Sequence, residues 1–256
     1  MKRRHPRPQH NIFTARNITI VAILLVIVVL MACISIFAIS YNIYGNAMFS
    51  KDFIKDAKAK RYAYLNQSAE IGQIVFLGDS ITEMYDLDYY FPQANIYNRG
   101  ISGDTTDRML VRLESNVLNI KPKGIFLLGG CNDLRHGSSP EDIAVNITKI
   151  LHIVREKLPD TKIFMQTVYP VNRSVKLAGK DLVGEHLTDD NVILLNEYIK
   201  QICAIYQVEL IDTYSHLVGD NKQLQDRFTF DGLHMTSESY ELITSLLTPY
   251  VDSLFD

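Results

Sequence analysis

After residue 73 the chain alternates short apolar runs with longer stretches of helical period, and this alternation constrains its fold more than any other feature. The runs are Ile74–Leu77, Asn95–Asn98, Ile125–Leu128, Lys162–Val168 and Val208–Ile211; the first three end at Gly78, at Arg99-Gly100 and at Gly129-Gly130. Between and after them the spacing predicts helices over Thr105–Leu118, Pro140–Leu158, Asn191–Tyr206 and Ser237–Leu254, the last interrupted at Pro249. Pro140 stands in a first helical turn, where a missing N–H costs nothing, and Pro122 and Pro159 lie just past helix ends. Strands joined by helices of about ten residues or more imply βαβ units, hence a five-stranded, mostly parallel sheet covered on both faces. In such open sheets the binding crevice lies at the carboxyl ends of the strands.

Chemistry-bearing residues stand at those ends. Gly78-Asp79-Ser80 follows the first run, Asn98-Arg99-Gly100-Ile101-Ser102-Gly103-Asp104 the second, and Gly130-Cys131-Asn132-Asp133 the third. Asp231-Gly232-Leu233-His234 follows the fifth by a long loop that can reach the same rim. A serine at a strand-to-helix turn can project its hydroxyl into the crevice, and a carboxylate three residues before an imidazole can hold one ring N–H and leave the other nitrogen to take the serine proton. The N–H groups of Ser80 and Gly103 and the Asn132 amide are candidate donors to a tetrahedral oxyanion. Each motif alone also reads as an ordinary turn or helix cap. A second Asp-X-X-His, Asp133 to His136, is set aside because Asp133 belongs to the third motif.

In this order and wording the four blocks resemble the SGNH, or GDSL-type, hydrolase superfamily. They are similar to the branch that includes platelet-activating-factor acetylhydrolase catalytic subunits and related bacterial acylhydrolases. The likeness covers roughly residues 61–250 and rests also on the Ile74–Thr82 and Asn98–Thr106 stretches, on Lys121-Pro122-Lys123 and on Asp231–Thr236. It implies a flavodoxin-like α/β/α sandwich, Ser80 as nucleophile, His234 as base, Asp231 as triad acid, an oxyanion hole of Ser80, Gly103 and Asn132, and no metal or other cofactor. Cys131 stands where relatives often carry a smaller or more polar residue.

An appendage precedes this domain. From Asn17 to Ser50 no residue is charged, and Ile18–Ile39 is apolar except for Thr19 and Ser35. A helix of that length is about 33 Å long, enough to cross a bilayer core, and exceeds a usual signal-peptide core of about 7–15 residues. A retained anchor is therefore expected, with cleavage near Ala38-Ile39-Ser40 as the alternative. The division expected is a basic cytoplasmic tail over 1–17, a transmembrane anchor over 18–40, a helical connector over 41–66 and the catalytic domain over 67–256. The tail carries Lys2, Arg3, Arg4, Arg7 and Arg16 with no acidic residue, which favours the N-terminus inside and the domain outside the cytoplasm. In the connector Phe49, Phe53, Ala57 and Tyr64 recur at near-helical spacing, as in a stalk whose end packs on the domain or a helix lying on headgroups. The thin apolar stripe favours the stalk.

Residues 62–256 carry 16 Lys/Arg against 27 Asp/Glu, a poor match to a phosphate backbone, so nucleic acid is not an expected partner. The three cysteines, Cys33, Cys131 and Cys203, form no disulfide framework and no zinc spacing. The expected partners are the membrane and an acyl ester of a small molecule, glycan or lipid; no oligomeric state is implied. The polar loop Tyr169–Asp190 has no long apolar stripe to line an acyl tunnel, which favours short acyl groups such as acetyl. The rival activities are an O-acyltransferase and a lysophospholipase or thioesterase on the same triad, with a catalytically silent binding module more remote.

Overall fold

The computed structural model describes residues 15–40 and 50–255. The chain divides between Ile54 and Lys55 into two compact units. In the first, helix α1 (Ala15–Ser40) is long and apolar enough over Ile20–Ser40, at a mean hydropathy of 3.4, to cross a membrane, a test that both an anchor and a signal sequence pass. Most of the expected basic tail, and residues 41–49 of the connector, lie outside the described residues.

Helix α2 (Lys51–Leu65) leads into the second unit. There the elements follow as β1 (Ile74–Gly78), α3 (Ser80–Glu83), α4 (Leu87–Tyr90), β2 (Ile96–Gly100), α5 (Thr106–Asn116), β3 (Gly124–Leu127), α6 (Cys131–Arg135), α7 (Pro140–Lys157), β4 (Lys162–Gln166), α8 (Asp189–Tyr206), β5 (Glu209–Ile211), α9 (Tyr214–Leu217) and α10 (Ser237–Asp252). The five strands are ordered β2-β1-β3-β4-β5 and every pairing is parallel. Alternation along each strand feeds two cores. Val75, Leu77, Ile125, Leu127, Ile163 and Met165 face α5, α7 and α8. Ile74, Phe76, Phe126 and Phe164 face α3, α4 and α10. Strand register brings Phe76, Phe126 and Phe164 opposite one another, and their rings stack at 4.5 and 4.6 Å. The result is the three-layer α/β/α sandwich expected.

Two local features differ from the sequence pattern. Helix α10 runs unbroken through Pro249, because a proline in the last turns forfeits only one helical N–H bond. Buried Leu247 and Val251 on either side hold the helix to the core, and Ser253 N–H still bonds the Pro249 carbonyl at 3.2 Å. Four short helices, α3, α4, α6 and α9, were not foreseen, since one-turn helices are too short for periodicity to reveal.

The chain runs from β1 outward to β2 and then crosses back to place β3 on the other side of β1. A crevice therefore opens between the carboxyl ends of β1 and β3, the switch point where ligands bind in sheets of this kind. Ser80 follows β1 and Asn132 follows β3.

Candidate active site

Ser80 is the first residue of α3, capped by Asp79, whose Oδ1 accepts the Ile81 N–H at 3.0 Å. Its hydroxyl lies 3.0 Å from His234 Nε2. On the other side of the ring, His234 Nδ1 lies 2.6 Å from Asp231 Oδ2. The turn carrying both residues is closed by a bridge between Thr229 and Met235, and Thr229 Oγ1 accepts the Gly232 N–H at 2.9 Å. Burial would push the Asp231 carboxyl up, but hydrogen bonds from the His234 ring, the His234 N–H and the Leu233 N–H hold it below its ordinary value. With Asp231 ionised, Nδ1–H can donate to it and Nε2 can accept from the Ser80 hydroxyl.

Gly103 lies in the loop after β2 at φ +75°, a left-handed conformation that glycine adopts without strain. Asn132 is the second residue of α6, and its amide donates to the Asp104 carbonyl at 3.0 Å, with a longer contact of 3.3 Å to Asp79 Oδ2. The structure thus joins Ser80, His234 and Asp231 directly, and links Asn132 to the residues next to Ser80 and next to Gly103.

Beneath these lies a framework that the sequence motifs do not announce. Asp104 is buried against Arg112, whose Nε donates at 2.6 Å and whose Nη2 reaches the Gly78 carbonyl at 3.0 Å. Asp133, set aside as a triad acid, accepts the Thr106 N–H at 2.9 Å and its hydroxyl at 2.5 Å, tying the third motif to the start of α5. Asp79 is buried beside Asp133 and Asp104, and its carboxyl is pushed up to about 7, mainly by burial and further by those two charges. Asn172, in the loop after β4, donates its N–H to the Gly232 carbonyl at 2.8 Å and so braces the Asp231–His234 turn. One sequence signal was available: Arg112 interrupts the buried stripe of Met109, Leu113 and Asn116 on α5. Among the described residues, no group of three or more His, Cys, Asp or Glu side chains is placed to hold a metal ion.

The sequence pattern of the GDSL-like Lipase/Acylhydrolase family matches residues 76–242, a span that runs from β1 through the Asp231–His234 turn into α10. The chain belongs to this family. As a GDSL-like acylhydrolase it is an ester hydrolase. It is 29% identical over 189 residues to human platelet-activating factor acetylhydrolase IB subunit alpha2, covering 72% of this chain and 77% of that one. The acylhydrolase also superimposes on a Streptococcus pneumonia structure described as a platelet activating factor, with a TM-score of 0.72 and 26% identity over 84% of this chain and 99% of the other. A GDSL-like lipase of Bacteroides thetaiotaomicron shares the fold at a TM-score of 0.67 and 23% identity, covering 76% and 97%.

Proposed function

We propose that this acylhydrolase is a serine esterase working through an acyl-enzyme on Ser80. The carrying observation is the unbroken path from Asp231 Oδ2 to His234 Nδ1 at 2.6 Å and from His234 Nε2 to Ser80 Oγ at 3.0 Å, across 154 residues of chain. His234 takes the hydroxyl proton as Ser80 Oγ attacks the ester carbonyl carbon. The tetrahedral oxyanion is held by the N–H groups of Ser80 and Gly103 and by the Asn132 amide. The Asn132–Asp79 contact, at 3.3 Å the longer of the two the amide makes, is the one an oxyanion replaces. The carbon–oxygen bond to the alcohol then breaks and the alcohol leaves with the proton from His234. Water repeats the sequence on the acyl-Ser80 bond, releasing the acid and restoring Ser80.

Short acyl groups, acetyl above all, are the proposed substrates; the polar loop at the rim and the acetylhydrolase relative support this. Helix α1 is proposed as a retained anchor, with the basic N-terminus inside, residues 41–66 as connector and the catalytic domain outside the cytoplasm.

The test uses the full chain in detergent micelles, a fluorophosphonate probe with peptide mapping, and p-nitrophenyl esters from acetate to decanoate. Labelling at Ser80 that is abolished in Ser80→Ala and strongly slowed in His234→Ala is expected, with kcat/KM highest for acetate. Wild-type turnover in Ser80→Ala would sink the assignment, and a maximum at decanoate would replace the short-chain preference.

A further inference from the structure

Helix α2 precedes the residues matched by the family pattern, yet it makes several contacts with the loop that carries Gly103. Tyr62 Oη donates to the Gly100 carbonyl at 3.0 Å. Lys58 Nζ pairs with Glu83 Oε1, and Glu83 Oε2 accepts the Ser102 N–H at 2.5 Å. Asp56 accepts from Arg108 Nη2 at 2.6 Å, and Arg108 Nε reaches Asp104 Oδ1 at 3.3 Å. Gly100, Ser102 and Asp104 are therefore each tied to α2, either directly or through one further side chain, and Gly103 lies among them.

The helix is held in place independently of these contacts. The Arg99 guanidinium lies 4.9 Å from the ring centroids of both Tyr62 and Tyr97, and its Nη2 donates to Asn66 Oδ1 at 2.6 Å. Asn116 donates to the Ala59 carbonyl at 2.9 Å. A second constraint acts on the loop from α3. A Cβ at Gly100 would lie 2.2 Å from the Glu83 backbone nitrogen, so the loop and the end of α3 are in close contact.

Glu83 is the junction of this arrangement. Burial pushes its carboxyl up, but the hydrogen bonds from Lys58 and from Ser102 outweigh that and hold it below its ordinary value. It is ionised at neutral pH, and an ionised acceptor makes the stronger bond to an N–H. The next amide along the chain belongs to Gly103, a residue with wide backbone freedom. Donors to an oxyanion are effective when they are fixed before the reaction begins, and displacements near 1 Å are costly.

We propose that Lys58 and Glu83 are positioning residues of the oxyanion hole: Lys58 orients the Glu83 carboxylate, which holds the Ser102 N–H and so aims the Gly103 N–H at the substrate oxyanion. This rests on the esterase reading of Ser80 and Gly103. It makes a helix outside the family blocks part of the catalytic apparatus.

The experiment measures p-nitrophenyl acetate hydrolysis and fluorophosphonate labelling rate for the full-length wild type, Glu83→Ala, Glu83→Gln and Lys58→Met in micelles. In Glu83→Ala kcat should fall about tenfold or more with KM changed less than about twofold, because only a transition-state donor is misplaced. Labelling should slow in parallel, and the near-UV circular dichroism should match the wild type. Glu83→Gln keeps a carbonyl acceptor for Ser102 and should recover most of kcat. Lys58→Met should lie between the two. Should Glu83→Ala lose its tertiary signal, Lys58→Met carries the same test, with a kcat fall of about threefold or more at unchanged KM as support. Wild-type kcat in the folded variants, beside a wild type that is active and labelled at Ser80, overturns the positioning role alone. A wild type that neither turns over nor labels defeats the esterase reading and this role with it.

Discussion

Replacing Asp79 with asparagine should make the protein more resistant to unfolding as pH rises from about 4 to 7. Asp79 is buried against Asp133 and Asp104, and its carboxyl is pushed from 3.8 up to about 7, mainly by desolvation. In that window the folded protein keeps a proton on Asp79 that the unfolded chain releases, so rising pH favours unfolding. Below the unfolded value both states are protonated and the group contributes nothing; above about 7 both are ionised and the full penalty is in place. A shift of about 3 units at 1.36 kcal/mol each is a penalty of about 4 kcal/mol at pH 7.5. Asp79→Asn removes the titration and keeps the Oδ1 acceptor for the Ile81 N–H, at some cost where its new NH2 meets the Asn132 amide. The variant-minus-wild-type stability should therefore climb by about 4 kcal/mol between pH 4 and 7.5, whatever its starting offset. Urea unfolding of both full-length proteins in one detergent gives this difference, with the other titrating groups cancelling. The chain has 14 Tyr and no Trp, so near-UV circular dichroism of tyrosine is the signal. A difference that stays flat across the range would refute the claim that Asp79 is buried as the neutral acid.

Gly232→Ala should cost activity by about tenfold or more and stability by about 1–3 kcal/mol. Its φ is +89°, and a Cβ there would lie 2.2 Å from the Asn172 carbonyl oxygen; wild-type kcat and melting temperature would contradict this. Arg112→Met breaks a buried ion pair with Asp104 and a bond to the Gly78 carbonyl, so the unfolding free energy from urea titration should fall by about 3 kcal/mol, and an unmoved urea midpoint would count against it. Asn132→Ala should lower kcat by about 10²–10³ with little change in KM; a variant losing only KM would place Asn132 in ground-state binding instead.

Much of this protein is legible from residues read in order. The βαβ alternation, the apolar run that became α1 and the four blocks are local patterns, and local patterns survive without knowledge of what packs against what. Ser80, Gly103, Asn132, Asp231 and His234 were all singled out from their blocks and their places after strands. The helix preceding the domain was read as a stalk whose end packs on it; in the structure Tyr62 and Asn66 donate to the Gly100 and Ser115 carbonyls. The unforeseen short helices and the unbroken α10 mark the scale at which periodicity stops informing.

The rest depends on distance through space, to which order along the chain is blind. The strand order puts β1 between β2 and β3, and so brings the Ser80, Gly103 and Asn132 loops to neighbouring strand ends. The protonation of Asp79 follows from burial beside two other carboxyls, one 25 and one 54 residues away in sequence. The Lys58–Glu83–Ser102 link exists only because α2 docks against the end of β2. Residue type and spacing name the reacting groups. Packing sets their charge states and their aim, because desolvation and hydrogen bonding act between groups that only the folded chain makes neighbours.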